Sequence, residues 1–476
     1  MKTVRPPASF FWAWLLGSLP LLGWWTYGLF DLDEGFYGAI TAEMNRRGEW
    51  ITPFYNGNPW FEKPVLLYWI SKPFLALFGD MVGPRLGSVV VSVALIGFVG
   101  WFTRRRSGDV AAAIAMVVQG TLLLSAILGR MMMTDTLLSA SLAVCFLTLY
   151  ESLVGDKRWR LVSAFFLGLS VLAKGPVGCL LFVPILAATY FMTPKLREAY
   201  RGYWGLGTLI FLVTISTWYV PAYLVNRDVF VQKFLIEQNL NRFTGGDTAH
   251  TLGGIVGWVF YVPILLVGSI PWTISMFRSA RGASQDPLKQ YLWIWSVTIF
   301  VFFTVSKAKL PHYILPAFPA LAILVGGELA ERWKGIRWPS LVAASLGVWA
   351  FVQGGFTLYY QGGMIGTYRL EGPHAELHDI IRGLSERELP LTMYQMTRRS
   401  KELGTGGLKI QETSHPSASL YWPSKVVETE SVDEIPPNSW IITRVGRSFG
   451  AFGTQRRVEQ VRSGRYFILL RSRPNP

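Results

Sequence analysis

The feature that most constrains this sequence is a series of long apolar stretches that contain no acidic residue, lysine or arginine. A transmembrane helix needs about 20 apolar residues to cross the hydrocarbon core of a bilayer. Two shorter stretches, 136–150 and 290–306, reach this length once flanking residues are counted. With only 16% charged residues in the chain, the pattern predicts a polytopic membrane protein. The long stretches are 6–30, 86–103, 110–129, 175–194, 202–226, 251–277, 310–327 and 338–368.

The positive charges set the expected number and direction of the spans. The stretch 161–173 ends before Lys174 and covers only about 20 Å as a helix. When it is counted as a span and the N-terminus is placed in the cytoplasm, the basic clusters share the cytoplasmic side, as the positive-inside rule requires. We therefore expect about eleven transmembrane helices in an all-α membrane fold. The clusters lie at 104–106, 157–160, 195–201, 278–289 and 332–337.

The net charge of +15 is explained by this orientation. The basic residues form short clusters between apolar stretches and not one interleaved patch, so nothing favours nucleic-acid binding. The acidic loop 31–81 and the turns before Asp135 and His312 then share the extracytoplasmic side. We expect a multi-pass protein of the inner (plasma) membrane with its active site on that side.

The composition changes near residue 365, where charged residues, proline and glycine become more frequent and the apolar runs shorten. The runs LTMYQM, SWIITRV and RYFILL predict strands, and residues 373–388 predict a helix. We expect a membrane domain at 1–364, which contains the acidic loop, and a small soluble extracytoplasmic α/β domain at 365–476. This second domain has no obvious catalytic motif, and its expected role is that of a lid, a support or a docking surface.

The acidic loop begins with DLDEGFYGAITAEM, where Asp31, Asp33, Glu34 and Glu43 crowd a short segment. The spacing of its apolar residues predicts an amphipathic helix over 34–47 that lies on the membrane surface. Asp33 and Glu34 then occupy the N-terminus of this helix, where backbone N–H groups stabilise negative charge. Helix capping and catalysis both explain this pair of carboxylates.

Asp135 is a further acidic candidate, at the outer end of the fourth span in RMMMTDTLLS. A carboxylate just inside a membrane span is costly and is usually functional or paired. Arg130 is an available structural partner. Lys174 lies in AKGP, where glycine and proline interrupt the helix and free backbone groups for a ligand, although a lysine at a hairpin tip is an equally simple interpretation.

The remaining candidates lie in predicted outer loops. Lys63 follows Glu62 in FEKP, the loop 227–250 contributes Arg242 and His250, and KAKLPHYILP contributes Tyr313. Cations near a few carboxylates suit an anionic lipid head group, because lysine or arginine binds the phosphate and a carboxylate is left to act as a base. The histidines lack metal-ligand spacing.

These segments together resemble a known family. DLDEGFYGAITAEM, FEKP, RMMMTD, LAKGP, NLNRF and KLPHYILP occur in the order and loop positions seen in the aminoarabinose transferases of lipid A. More broadly, the chain is similar to the membrane glycosyltransferases of the C-type fold that are related to protein O-mannosyltransferases. The similarity covers residues 10 to about 330.

The resemblance implies a polyprenyl-phosphate-linked sugar donor, transfer on the extracytoplasmic face with inversion, and a catalytic Asp33 in the Asp33–Glu34 pair. It implies that Lys63 contacts the donor phosphate, that Asp135 lines the active cavity and that Tyr313 approaches the lipid phosphate. Lys174 or Arg242 would assist Lys63.

The sequence departs from aminoarabinose transferases at two positions: Phe36 replaces a frequent arginine, and Asn239 replaces a histidine that can bind metal. A divalent metal stays open, with Glu62 and His250 as its candidate ligands. We expect activity to survive chelation, or to need only a weakly held divalent ion.

The sequence therefore favours a glycosyltransferase of the cell envelope. The acceptor would be lipid A-like, another glycan or a protein. The alternative is a transporter or flippase of a lipid-linked sugar, but transporters place charges and broken helices near the bilayer midplane, whereas the charges here lie at span ends. A non-catalytic membrane scaffold is a third interpretation.

Overall fold

The computed structural model describes residues 8–31, 33–200, 202–241, 254–361, 374–396, 415–446 and 457–474. Most of them are helical. The helices are α1 (Ala8–Ser18), α2 (Asp33–Arg46), α3 (Leu66–Thr121), α4 (Leu123–Gly129), α5 (Thr134–Val154), α6 (Trp159–Lys174), α7 (Val177–Met192), α8 (Trp204–Phe230), α9 (Gly254–Val259), α10 (Tyr261–Gly268), α11 (Thr273–Arg278), α12 (Pro287–Val305), α13 (Phe318–Trp333), α14 (Trp338–Tyr360), α15 (His374–Arg382) and α16 (Ser417–Tyr421).

Six helical stretches in the described part of the chain are long and apolar enough to cross a membrane. The prediction of a polytopic, mostly helical membrane protein is therefore confirmed. The six stretches are Leu66–Thr121, Thr134–Val154, Trp204–Gln238, Pro287–Val305, Pro311–Trp333 and Trp338–Tyr360.

The chain divides into two compact units. The first contains Met1–Trp24, Phe61–Ile70 and Arg85–Val352. The second contains Trp25–Trp60, Ser71–Pro84 and Gln353–Pro476, so it groups the start of the acidic loop with the C-terminal segment. This grouping differs from the predicted division at residues 364 and 365, which remains a prediction about domains.

Helix α3, most of which belongs to the first unit, is not a single straight rod. Its 56 residues would extend about 84 Å at 1.5 Å per residue, far beyond the thickness of a bilayer. Gly108 has a left-handed φ of 86°, and a Cβ atom on Gly100 would collide with the Met116 sulfur. Residues before and after Gly108 are therefore packed side by side, and α3 reverses there, between the two predicted apolar stretches 86–103 and 110–129.

A second reversal in this unit separates α6 from α7. Gly175 follows the last residue of α6 with φ 76°, a conformation that glycine adopts without steric cost. A Cβ atom on Gly178 would collide with the Ser170 hydroxyl oxygen. The start of α7 therefore packs directly on α6, and the interruption that the Gly–Pro pair predicts is present.

The second unit is built around a five-stranded sheet with strand order β4-β3-β5-β7-β6. Strand β3 is parallel to β4 and β5, whereas β7 is antiparallel to β5 and β6. The three predicted strands correspond to β3, β5 and β7, and the predicted helix 373–388 is the shorter α15. These strands are β3 (Leu391–Tyr394), β4 (Val426–Thr429), β5 (Ser439–Arg444), β6 (Arg457–Ser463) and β7 (Phe467–Arg473), and a separate hairpin pairs β1 (Phe54–Tyr55) with β2 (Asn58–Pro59).

Helix α2 also belongs to the second unit and begins within one residue of its predicted start. Ten of its 14 residues are buried, including Glu34 and Glu43. It packs closely on α16: a Cβ atom on Gly35 would lie 3.0 Å from the backbone nitrogen of Ser417. The amphipathic interpretation, with one apolar face and one polar face, is therefore too simple, because the helix is covered by protein on more than one side.

Candidate functional site

The first unit gathers several of the predicted site residues around Asp135. The carboxylate lies in the first turn of α5 and is only 2% exposed, where backbone N–H groups at the helix start stabilise negative charge. Lys174, the last residue of α6, places its Nζ 2.5 Å from Asp135 Oδ1, and His312 Nε2 lies 3.7 Å from Oδ2. Arg130, the partner considered from the sequence, donates to the carbonyl oxygens of Pro20 and Leu22.

His312 and Tyr313 reach this centre on a short 3₁₀ helix, Pro311–Ala317. The Tyr313 ring lies 4.3 Å from Lys174 Nζ, a cation–π contact. Lys309 does not join them, because its Nζ donates to the carbonyl oxygens of Phe303, Thr304 and Ser306 at the end of α12. The segment before His312 is therefore held in place by the helix that precedes it.

Lys63 precedes α3 and belongs to the same unit. Its Nζ lies 3.3 Å from Glu62 Oε1, and its side chain is 13% exposed. Phe61 anchors this segment through an edge-to-face contact with Phe230 at 5.4 Å. The charge of Lys63 also acts on the Asp135 carboxylate.

The arrangement in the first unit can bind an anion. The positive charges of Lys63 and Lys174 are balanced by Glu62 and Asp135, so the group gains a net positive charge when His312 is protonated. Lysine is a compact point charge with three donors, so each ammonium can retain its carboxylate contact while it donates to a phosphate oxygen.

In the second unit, the two adjacent carboxylates at the start of α2 differ in environment. Glu34 is buried, and its Oε2 accepts a hydrogen bond from the backbone N–H of Phe30 at 3.3 Å. Asp33 is only half-buried. Within the described ranges, none of the hydrogen bonds or ion pairs involves Asp33. Glu34 is therefore engaged by the backbone that precedes α2, whereas Asp33 has oxygens available for a substrate.

A third buried carboxylate, Asp31, stands at the centre of a histidine cluster in the same unit. His415 Nδ1 lies 2.7 Å from Asp31 Oδ2, and the backbone N–H of Ser417 donates to Oδ1 at 2.9 Å. The backbone N–H of Asp31 donates to His374 Nε2 at 3.0 Å. Burial raises the pKa of the Asp31 carboxyl, but the attraction and hydrogen bond of His415, together with the attraction of His374 and His378, outweigh burial and hold that pKa well below its usual range.

Sequence comparisons find relatives of known type. Residues 62–220 match the family described as dolichyl-phosphate-mannose-protein mannosyltransferase. The undecaprenyl phosphate-alpha-4-amino-4-deoxy-L-arabinose arabinosyl transferase of Pseudomonas paraeruginosa is 30% identical over 320 residues, which cover 65% of this chain and 57% of that enzyme. Transferase 1 of the same description from Pseudomonas fluorescens is 29% identical over 358 residues, with coverages of 71% and 63%. The matches therefore span about three fifths of the relatives' own length.

The crystal structure of ArnT from Cupriavidus metallidurans bound to undecaprenyl phosphate superposes on 97% of this chain and 97% of its own, with a TM-score of 0.78 at 19% identity. The chain has the ArnT fold. The same enzyme in the apo state gives a TM-score of 0.75. The resemblance that the sequence motifs predicted, to aminoarabinose transferases and to membrane glycosyltransferases of the C-type fold, is confirmed.

Within this ArnT fold, the structure brings Lys63, Asp135, Lys174 and Tyr313 together in the first unit. Asp33 and Glu34 lie in the second unit. Arg242 and His250 lie outside the described residues. In the described part of the chain, no group of three or more histidine, cysteine, aspartate or glutamate side chains could hold a metal ion, and the candidate ligand Glu62 pairs with Lys63.

Sequence reasoning missed two features of these sites. It weighed His312 only as a metal ligand, although that histidine faces Asp135. It also overlooked the Asp31 cluster, which includes three of the five histidines of the chain. The four-residue spacing of His374 and His378 was the one local signal, since it puts both on one face of a helix.

Proposed function

We propose that this chain is an integral membrane glycosyltransferase that moves a sugar from a polyprenyl phosphate to a lipid A-like, other glycan or protein acceptor. The observation that carries the proposal is the assembly of Lys63, Asp135, Lys174 and Tyr313 at one place in a chain with the ArnT fold. The relatives named as undecaprenyl phosphate-aminoarabinose arabinosyl transferases support the same donor class. The partners are then the lipid-linked sugar, the acceptor and the bilayer.

The proposed reaction is a substitution at the anomeric carbon. An acceptor oxygen forms a bond to that carbon while the bond from the carbon to the phosphate oxygen breaks, and the polyprenyl phosphate leaves with the electron pair. Asp33 takes the proton of an acceptor hydroxyl, or orients the acceptor where the nucleophile is a phosphate. Attack opposite the leaving group inverts the configuration at the anomeric carbon.

Lys63 and Lys174 stabilise the negative charge that develops on the departing phosphate, with Tyr313 beside them and Arg242 as a further candidate. A preorganised donor of this kind contributes about 3 to 4 kcal/mol to transition-state stabilisation in other enzymes. Asp135 shapes the cavity because it fixes the position of Lys174. Glu34, the second member of the predicted catalytic pair, supports Asp33 by holding the backbone N–H of Phe30 just before α2.

We also propose eleven membrane crossings, with the N-terminus in the cytoplasm and the site and the C-terminal domain on the extracytoplasmic side of the inner membrane. The reversals at Gly108 and Gly175 support this count, since each lies between two stretches that the charge pattern counts as separate spans. The boundary between a membrane domain at 1–364 and a soluble domain at 365–476 belongs to the same proposal.

A transport assay and a transfer assay separate this function from its alternative. Purified protein is reconstituted into vesicles that contain undecaprenyl phosphate-linked 4-amino-4-deoxy-L-arabinose and lipid A, and mass spectrometry measures the modified lipid A. We expect sugar transfer with release of undecaprenyl phosphate; transfer of a different sugar or to a different acceptor would keep the enzyme class and change the substrate. Movement of the lipid-linked sugar between leaflets without transfer to any acceptor would make the protein a transporter and contradict the proposal.

A further inference from the structure

The two carboxylate oxygens and the backbone N–H of Asp31 are engaged by side chains and backbone from the C-terminal segment of the chain. Its two carboxylate oxygens accept hydrogen bonds from His415 and from the backbone of Ser417, and its own N–H donates to His374. These partners lie at least 343 residues away in sequence. A side chain that is fully buried with every polar group satisfied has one well-defined position.

A second layer of contacts holds two of the three partners of Asp31, His415 and Ser417. Arg444 lies 3.4 Å from His415 Nε2, and because a guanidinium can only donate, the proton of neutral His415 belongs on Nδ1, which faces Asp31. His378 Nε2 lies 3.0 Å from the Ser417 hydroxyl oxygen, and the Tyr360 hydroxyl lies 3.2 Å from His378 Nδ1. The hydrogen-bond pattern thus fixes the orientation of each ring.

The chain on both sides of Asp31 is held by the same segment. Before it, the backbone N–H of Leu29 donates to the Tyr421 hydroxyl at 3.0 Å, and the Phe30 ring meets His374 edge-on at 5.6 Å. After it, α2 begins at Asp33, only two residues away, and packs on α16. The position of the Asp33 carboxylate is therefore determined by the Asp31 cluster on one side and by α2 on the other.

We infer that Asp31, His374, His415 and Ser417 form a positioning network through which the C-terminal segment fixes Asp33 for proton transfer. The inference rests on the proposed role of Asp33, and it gives the C-terminal domain a function beyond that of a general support. The network touches no substrate. Because a displacement of about 1 Å at a reacting group can cost about 100-fold in rate, loosening the network lowers turnover even where the protein stays folded.

Paired substitutions at His415 test the network. His415→Leu removes the donor to Asp31, whereas His415→Asn keeps an N–H near the position of Nδ1. With the donor and acceptor that the wild-type protein uses, we expect His415→Leu to lower kcat by about 10- to 100-fold with little change in the KM for the donor. His415→Asn should recover most of the loss.

Two controls separate this role from simple stabilisation. Trp440→Phe removes a partly buried hydrogen bond to the Ser385 carbonyl elsewhere in the same unit and should lower thermal stability without lowering kcat. Where His415→Leu does not fold, Asp31→Asn replaces it, since this change keeps the size of the side chain. Folded His415→Leu or Asp31→Asn with wild-type kcat would overturn the inference, as would a fall in kcat for Trp440→Phe that matches theirs.

Asp33→Asn in the same assay separates the inference from the proposed function. If the Asp33→Asn variant transfers sugar normally, the role proposed for Asp33 is wrong, and the network has no catalytic group to position. If Asp33→Asn is inactive while His415→Leu keeps its turnover, the proposed function stands and the positioning network alone is contradicted.

Discussion

At the scale of single residues, the site in the first unit depends on a buried charge pair. Asp135 is 2% exposed and Lys174 is 14% exposed, so neither group keeps much of its hydration. Their attraction offsets the loss of water only while both are present, because a single buried charge lacks compensation. The pair therefore constrains mutation more strongly than a surface salt bridge does.

This pair predicts the effect of removing one partner. Lys174→Met should destabilise the protein by roughly 3 to 5 kcal/mol, because the Asp135 carboxylate is left buried without its closest cation. The double variant Lys174→Met with Asp135→Asn should regain part of the stability. Thermal unfolding in detergent measures both. A double variant as unstable as the sum of the two single variants would argue against a direct pairing.

Lys63 gives a prediction about catalysis. A lysine that stabilises the leaving phosphate contributes more as charge develops, so its loss should depress the rate more than donor binding. Lys63→Ala should bind polyprenyl phosphate but transfer sugar about 100-fold more slowly at saturating donor. Lys63→Arg should recover part of the lost transfer rate, since a guanidinium keeps the charge but not the compact geometry. A pure loss of donor affinity with unchanged kcat would make Lys63 a binding residue.

The partner of Asp135 also illustrates the limit of sequence reasoning at this scale. The motifs selected Asp135, Lys63 and Lys174 as candidates for one site, because a charge at a span end is costly and is usually functional or paired. The sequence did not predict that Asp135 pairs with Lys174. Arg130 is five residues away and Lys174 is 39 residues away, and only the packing of α5 on α6 decides between them.

At the scale of elements, the two adjacent carboxylates at the N-terminus of α2, Asp33 and Glu34, lie in different environments. Asp33→Asn should lower turnover by about 100- to 10,000-fold, as the loss of a general base typically does. Glu34→Gln keeps an acceptor for the Phe30 N–H and should retain transfer within about 10-fold, with reduced thermal stability. Steady-state transfer by folded variants checks both. Equal losses at the two positions would return Glu34 to the catalytic pair.

Helix α15 carries a pH-dependent contribution to stability. Burial lowers the pKa of His378 well below its ordinary value, and His374 lowers it further. Asp31 opposes this shift, while Arg382 and His415 reinforce it. Because the folded pKa is depressed, the unfolded chain binds a proton more readily below pH 6.5, so this contribution is present above that pH and is lost as the pH falls.

We therefore expect the midpoint temperature of thermal unfolding to decrease as the pH is lowered from about 7 to about 5. This decrease should be less steep in the His378→Gln variant. The glutamine does not titrate and can still donate to the Ser417 hydroxyl. An unchanged slope in His378→Gln would show that the neutral state of His378 contributes nothing to stability.

The elements of the second unit show which local signals suffice. The spacing of apolar residues predicts α2 to within one residue at each end, and the apolar runs predict β3, β5 and β7, because these strands are buried. Strand β6 was missed, since its sequence RVEQVRS is mostly exposed and carries alternating charges. The Asp31 cluster joins segments more than 340 residues apart in sequence. No local sequence pattern predicts that two such distant segments contact each other.

At the scale of the whole molecule, the count of crossings decides where each part of the chain lies. If the count of crossings misses one reversal of the chain, all later segments are assigned to the wrong side of the membrane. The charge pattern alone favours eleven crossings, and the reversals at Gly108 and Gly175 give two of the required turns a physical basis. The stretch 161–173, within α6, matters most for this topology. Without it as a crossing, all later segments would lie on the opposite side of the membrane.

Single cysteines test this arrangement directly. In a background without Cys145 and Cys179, the two native cysteines, Ser107→Cys and Ser284→Cys should resist a membrane-impermeant maleimide in intact spheroplasts and react after lysis. Ser424→Cys should react in intact spheroplasts, because an odd number of crossings from a cytoplasmic N-terminus places the C-terminal domain outside. Protection of Ser424→Cys alone would remove one crossing after Ser284. Protection of Ser107→Cys together with labelling of Ser284→Cys would instead show that 155–194 crosses the membrane once, and the basic cluster at 278–289 would then lie on the side that positive charges normally avoid.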